Sequence, residues 1–444
     1  MAIELSDHFT YGKLLRFTVP TMAMVTVLSL YVMVDGLFVS NFAGLEAFSA
    51  LNLIYPFIML LGTFGLMVGA GGSALVAKVL GEGNPMRANR IFSRLIQFTA
   101  VMGIGLGILA QLGMRPVARL LGASGTLLDQ AILYGRIVAM GIPFVALQDA
   151  FQAFFSTAER PKLGLVTILA AGVTNMVLDW LFIAVFGWGL VGAAAATVIG
   201  QAVGGLVPLA YFARPNTSLL RLGPAEATRD ELRQVLLNGS SELVTNLSES
   251  LVGLLFNYQL MRYLGQDGVS AYGVLMYINF VSMGAFYGYS QGVSPVVSFH
   301  YGAKDQPEIR SLFHKSLRLM AGGGLLITFV LAGTAAPPIV ALFMGTSAGA
   351  TQLTLHALSI YRLTFLVMGV NVFGSAFFTA LNNGPVSAAI SFLRTLVFEA
   401  ASVMLLPALF GADGIWAAMV VAELVSLCVT CAFFVRLRGR YGYA

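Results

Sequence analysis

The chain has 444 residues, of which 58% are hydrophobic and 10% charged, with a mean hydropathy of +0.84. Soluble domains carry about a quarter charged residues, so a water-soluble globular protein is excluded and a polytopic membrane protein is indicated. The net charge of +5 reflects loop bias rather than a nucleic-acid surface, and two cysteines, Cys428 and Cys431, spaced i,i+3 inside the last apolar run, exclude a disulfide-stapled fold.

A membrane span needs about 20 apolar residues at a rise of about 1.5 Å each. Twelve such runs follow in chain order, near 15–39, 50–77, 95–114, 131–156, 163–186, 190–212, 236–261, 270–296, 316–342, 354–380, 386–409 and 412–434. No signal-type cleavage site follows the first, which is therefore read as a retained helix. The second contains GAGGSA (69–74), which looks like a nucleotide-binding glycine loop. No strand precedes it and the whole segment is apolar, so tight helix packing or local unwinding is the expectation. No Walker motif is present, and the four histidines make no HExxH or other metal spacing. With the N-terminus inside, the cytoplasmic segments collect 19 of the 25 Lys and Arg, among them Lys78, Arg87, Arg90 and Arg94 after the second run and Arg436, Arg438 and Arg440 after the twelfth. Both termini are thus expected in the cytoplasm.

The chain also repeats itself. GEGNPMRANRIF (81–92) aligns without a gap on GAKDQPEIRSLF (302–313), VTVLS (25–29) resembles VTNLS (244–248), and AFFSTAERP (153–161) resembles AFFTALNNGP (376–385), all at offsets between 219 and 224. Two six-helix bundles are expected, 1–222 and 223–444, joined by the polar loop 213–234. An even number of spans per half gives both copies the same orientation, with a binding cavity between the lobes and rocking of one against the other for alternating access.

Ionisable groups inside the spans cost about 2.5 to 3.5 kcal/mol each even on lenient insertion scales, so each calls for a reason. Residue counting places Asp35 in the first span, Asp179 in the fifth and Thr197 in the sixth roughly 7 to 12 Å below the outer surface, with Asn175 one turn deeper than Asp179. If they face inward, the four supply oxygen donors of the kind hard cations prefer. Either Na⁺ is cradled there or two neighbouring aspartates share a proton, and both readings stand, against the plainer one in which Asp179 bonds a neighbouring helix and Asp35 is interfacial. In the seventh span Glu242, Asn246, Glu249, Gly253 and Asn257 fall on one helical face. Glu249, about 18 Å from the outer end, would draw a cationic substrate or a proton if it faces the cavity. Glu242 is nearer the cytoplasm and is as well read as solvated. Asp149 and Glu399 are further cavity candidates, Glu399 with Arg394 as a rival partner and Glu423 as Arg394's alternative; Met283 or Phe286 would line an adaptable pocket.

These features together resemble the multidrug and toxic compound extrusion (MATE) family, most nearly its MepA-like bacterial branch. The likeness runs over nearly the whole chain, through TVPTMAMVTVLSLYVMVDGLFVS, GAGGSALVAKVLGEGN, NMVLDWLFI, GAAAAT and QGVSPVVSFHYGAKD. It implies an all-α membrane protein, a V-shaped antiporter of twelve transmembrane helices that exports cationic amphiphilic compounds against an inward Na⁺ or H⁺ gradient from the bacterial cytoplasmic (inner) membrane. No cofactor other than the coupling ion, no nucleic acid, membrane lipid as surroundings and a monomer are the matching expectations. The family's first-lobe cation site carries over onto Asp35, Asn175, Asp179 and Thr197. Glu249 resembles a second-lobe glutamate of some branches, but their tenth-span aspartate is missing from RLTFLVMGVNVFGSAFF (362–378), which favours coupling through the first lobe. A flippase for lipids or lipid-linked oligosaccharides in the same superfamily is the alternative, and the scarcity of intramembrane basic residues, chiefly Arg394, counts against it. An enzyme would need a catalytic constellation, and none is visible.

Overall fold

Punctuation by proline, glycine and capping side chains divides the apolar runs into helices. Asn84 accepts from the Arg87 amide ahead of Pro85, Thr228 and Glu231 form a reciprocal capping box, and Asp305 accepts from the Glu308 amide, each satisfying amides that a helix start leaves open. A computed structural model of the chain describes residues 3–38, 45–335, 337, 338, 340 and 348–443, apart from the side chains of 29–38, 45–48, 331, 335 and 348. Among the described residues no strand occurs.

The helices are Tyr11–Phe38, Leu45–Gly81, Pro85–Leu120, a fourth in two pieces (Gly125–Ala139 and Ile142–Thr157) bent by 52°, Pro161–Val185, Gly189–Ala213, the stretch Arg229–Gly302, Gln306–Thr334, Gly349–Ala380, Gly384–Phe410 and Ala412–Tyr441. Arg229–Gly302 is the seventh and eighth helices joined end to end, broken at Gly265, whose φ of 64° with ψ of −150° is open to glycine and hardly to any other residue. Among the described residues twelve helices therefore stand in the expected order, counting the bent fourth as one and Arg229–Gly302 as two. The bend in the fourth falls at Gly141, two residues before Pro143, which has no backbone N–H to donate to the preceding turn.

Buried apolar side chains gather in three clusters. Two draw on residues 50–235, and the third joins residues 252–443 with Leu5, Phe9, Leu14 and Phe17 from the beginning of the chain. The halves meet along a glycine seam. A Cβ on Gly71 would overlap the Val235 carbonyl oxygen, one on Gly239 the Met67 carbonyl, one on Gly81 the Phe299 carbonyl and one on Gly302 the Lys78 carbonyl. The second helix thus lies backbone to backbone on the seventh and eighth, a contact that only glycine permits. GAGGSA belongs to this packing: Gly69 approaches Ala150, Gly71 Val235, and Gly72 Leu95 and Phe154, as tight helix packing requires.

The N-terminal segment bridges the same end of the molecule. The Leu5 amide donates to Glu159 Oε1 at 2.5 Å, and the Phe9 amide and His8 Nδ1 meet Glu308 at 2.9 and 2.5 Å. Leu5 and Phe9 are fully buried beneath it, so the strap is anchored by apolar burial as well as by hydrogen bonds.

Candidate functional site

The fifth helix reaches Asp179 in α form and then widens into a π-helical turn, Trp180–Val185, a local distortion common at functional positions. Asn175 and Asp179 share one face, i and i+4, and are 1% and 0% exposed. Opposite them runs the sixth helix, brought close by Gly200, where a Cβ would lie 2.9 Å from that of Asn175. The two helices are antiparallel, so Thr197, one turn before Gly200, comes to the level of Asp179. Thr197 is 6% exposed and its hydroxyl donates to the Ala193 carbonyl at 3.0 Å, which turns the oxygen lone pairs outward from its own helix.

Asn175 is the conspicuous group. Neither its Oδ1 nor its Nδ2 has a hydrogen-bond partner among the described residues, and Gln201 Oε1, one turn deeper on the sixth helix than Thr197, is in the same condition. Buried amides without partners cost about 1 to 3 kcal/mol, a cost that a guest ion or water removes. Asp35 lies on the first helix, which packs against the fifth; its side chain is outside the described residues.

A second polar region lies between the halves. Ala70 and Ser73 of the second helix, Glu242 and Thr245 of the seventh, Met283, Tyr287 and Gln291 of the eighth, and Arg394 of the eleventh line one cavity. The Tyr287 hydroxyl donates to Glu242 Oε2 at 2.7 Å, so Glu242 is a cavity wall group rather than a solvated one. The rest of the seventh-helix stripe turns to open space. Asn246 is half-buried with its Nδ2 spent on the Glu242 carbonyl at 2.9 Å, Glu249 and Asn257 are exposed, and nothing stands within 4 Å of a Cβ on Gly253.

Other candidates divide. Met283 lines the cavity, whereas Phe286, on the same helix, is 2% exposed in the core of the second half, its ring against Gly369. Asp149 is 8% exposed and accepts from Gln152 at 3.4 Å; it is not itself in the cavity lining but stands within electrostatic reach of Tyr287, which is. Arg394 pairs with Glu423 at 2.7 Å and not with Glu399. Sequence reasoning missed Tyr287, Gln291 and Ser294, although their spacing of i, i+4 and i+7 in YGYSQGVS, a polar stripe within an apolar run, was a signal of the same kind as the seventh-helix one. Cys428 and Cys431 are both free and exposed.

Comparison with known proteins agrees with this architecture. The MatE family model matches the chain twice, over residues 20–181 and 243–404. The multidrug export protein MepA of Staphylococcus haemolyticus is 23% identical over 434 residues, covering 97% of this chain and 94% of that protein, and MepA of Staphylococcus aureus (strain MRSA252) is 22% identical over 431 residues, covering 96% and 93%. Among solved structures, a MATE protein in complex with MaL6 superposes with a TM-score of 0.91 at 21% identity, covering 98% of this chain and 97% of the other. An outward-facing multidrug resistance MATE transporter of the MOP superfamily gives the same TM-score, identity and coverage. Matched over most of its length by the family model and throughout by the fold, this chain belongs to the MatE family and is a MepA-like MATE transporter.

Proposed function

We propose that the chain is a secondary active multidrug exporter of cationic amphiphilic compounds, exchanging them for Na⁺ or H⁺ by alternating access in the cytoplasmic membrane of a bacterium, with both termini cytoplasmic. The observation that carries this reading is Asn175, 1% exposed with both amide atoms unpartnered among the described residues, one turn from the fully buried Asp179. Such a pair is costly in an apolar helix unless a cation or proton takes part. Sodium would take carboxylate oxygens from Asp35 and Asp179, Asn175 Oδ1 and Thr197 Oγ1; a proton would need only the two aspartates. The two halves, 1–222 and 223–444, act as the rocking lobes, a division supported by the paired family-model matches and the separate apolar clusters. Glu242, Asn246 and Met283 meet the drug between the lobes, and Glu249 and Asp149 draw cations toward it. The chain works without a cofactor, as a monomer among membrane lipids. The glycine seam closes the cytoplasmic end, leaving the route to the outside as the open one. The relatives' multidrug export supports the substrate class.

Drug accumulation in cells tests the coupling site. Cells expressing Asp35→Asn or Asp179→Asn are expected to accumulate a cationic dye as vector-only cells do. Efflux at the wild-type rate in both would remove the site.

A further inference from the structure

The second half carries a buried group that the proposed coupling site does not use. Glu399 is 4% exposed and makes no hydrogen bond or ion pair with any described residue. It sits where the eleventh helix leaves a π-helical segment, Phe392–Phe398. Five residues span a little more than one π turn, so this segment brings Arg394 and Glu399 toward one side of the helix, whereas an ordinary α-helix would set them far apart. Charged and titratable neighbours come from every helix around it: Arg394 on its own helix, Glu249 on the seventh, Tyr272 on the eighth, Tyr361 on the tenth and Glu423 on the twelfth.

Two further observations point to a small ligand. The Tyr361 hydroxyl, on a side chain 1% exposed and within electrostatic reach of Glu399, Glu423 and Arg394, has no partner among the described residues. Asn371 spends its Nδ2 on Glu423 at 2.6 Å and leaves a buried Oδ1 unpartnered. The repeat supplies the second observation. NMVLD (175–179) resembles TLVFE (395–399) about one helical turn short of the offset of 223 to 224 at which AFFSTAERP and the family-model matches repeat, so each half carries an acid near the same level of its fifth helix, and Glu423 falls 222 residues after Gln201. Each acid also adjoins a π-helical segment in its half. The halves differ in one respect: an arginine stands beside the second acid, and no group of three acids, histidines or cysteines gathers among the described residues. Arginine repels a metal cation but tolerates a proton, which alters the charge of an acid without needing a coordination shell.

We propose that Glu399 is a proton-binding residue of the second half and that Arg394 carries the effect of its proton to the drug cavity. Arg394 is held by Glu423 through Nε at 2.7 Å and also lines the interlobe cavity. With Glu399 ionised, two nearby carboxylates offset the guanidinium; when Glu399 takes a proton and becomes a neutral acid, only Glu423 does. The exposed positive charge then weakens the hold on a cationic ligand in the same cavity, so proton and drug compete without touching. The link to drug rests on the exporter reading; the proton site does not.

The test uses the full chain in lipid nanodiscs, with infrared difference spectra between alkaline and acid buffer and with tetraphenylphosphonium binding at both. Wild type is expected to show protonated-carboxyl absorption on acidification and to bind the cation about tenfold more weakly in acid, an ordinary coupling between two sites. Glu399→Gln should lose one carboxyl from the difference spectrum and bind weakly at alkaline pH too. Glu399→Asp should restore both the carboxyl signal, at a shifted position, and the pH-dependence of binding, which separates protonation from misfolding. A full carboxyl signal in Glu399→Gln would overturn the proton site. Loss of that signal in a protein whose wild type binds no tetraphenylphosphonium at any pH would uphold the proton site and overturn the exporter reading.

Discussion

Gly239→Ala tests the glycine seam, which the proposed orientation places at the cytoplasmic end. Alanine in a helix interior is favoured over glycine by about 1 kcal/mol, so on propensity alone the variant gains stability. The structure reverses the sign. A Cβ at 239 would overlap the Met67 carbonyl oxygen and lie 2.7 Å from its carbonyl carbon and 3.1 Å from its Cα. All three are backbone atoms, and no side chain can swing aside. Overpacking of this kind costs about 1–3 kcal/mol, and the unyielding obstacle places this case at the upper end. The net penalty falls only on the arrangement in which the second and seventh helices touch and comes to about 2 kcal/mol, a shift of roughly thirtyfold in population toward the opened end. The assay is labelling of Ser290→Cys, on the cavity wall, by an impermeant maleimide applied to the cytoplasmic face of inverted vesicles, with the exposed Cys428 and Cys431 replaced by serine. Faster labelling in Gly239→Ala is expected. A labelling rate and melting temperature equal to those of the Gly239 protein would refute the seam.

Three further predictions follow from single contacts. Gly200→Ala sets a methyl 2.9 Å from the Asn175 Cβ and should blunt the dependence of drug flux on the coupling ion while leaving expression intact; unchanged ion dependence would detach Asn175 from the site. Arg394→Met leaves Glu423, fully buried, without its ion-pair partner and should cost about 3–5 kcal/mol, with Glu423→Gln added to it recovering thermal stability in detergent; a double variant as unstable as the single one would contradict the pairing. In the capping box that starts the seventh helix, Glu231 is partly buried, which by itself would raise its pKa, but hydrogen bonds from Thr228 and Arg87 prevail and hold the carboxyl below its usual value of 4.5. Its contribution is therefore complete above that value and lost as pH falls through the lowered one, so the stability gap between wild type and Glu231→Gln should be open at neutral pH and close in acid. A gap that stays open in acid would contradict the assignment.

Much of this architecture was legible because lipid imposes strict demands on a sequence. Runs of apolar residues long enough to span could be counted, and the repeat of GEGNPMRANRIF in GAKDQPEIRSLF organised them. Residue counting alone brought Asn175, Asp179 and Thr197 to neighbouring levels, since helical rise converts residue number into distance. Helix distortions were less visible. The π-helical segments after Asp179 and before Glu399 leave no mark in composition, because any apolar residue tolerates them. Facing was the other gap. The seventh-helix acids share a face, but only the packing of neighbouring helices shows that Glu242 meets Tyr287 while Glu249 is exposed. Phe286 and Met283, three residues apart, are equally apolar, and the closeness of Gly369 decides which is core and which is cavity wall.

Drug flux in proteoliposomes under separately imposed Na⁺ and pH gradients, for wild type and Asp179→Asn, tests the central claim most directly. The account predicts uphill movement of a cationic dye by wild type under at least one of the two gradients and none under either by Asp179→Asn. Gradient-driven flux by Asp179→Asn at the wild-type rate would contradict it.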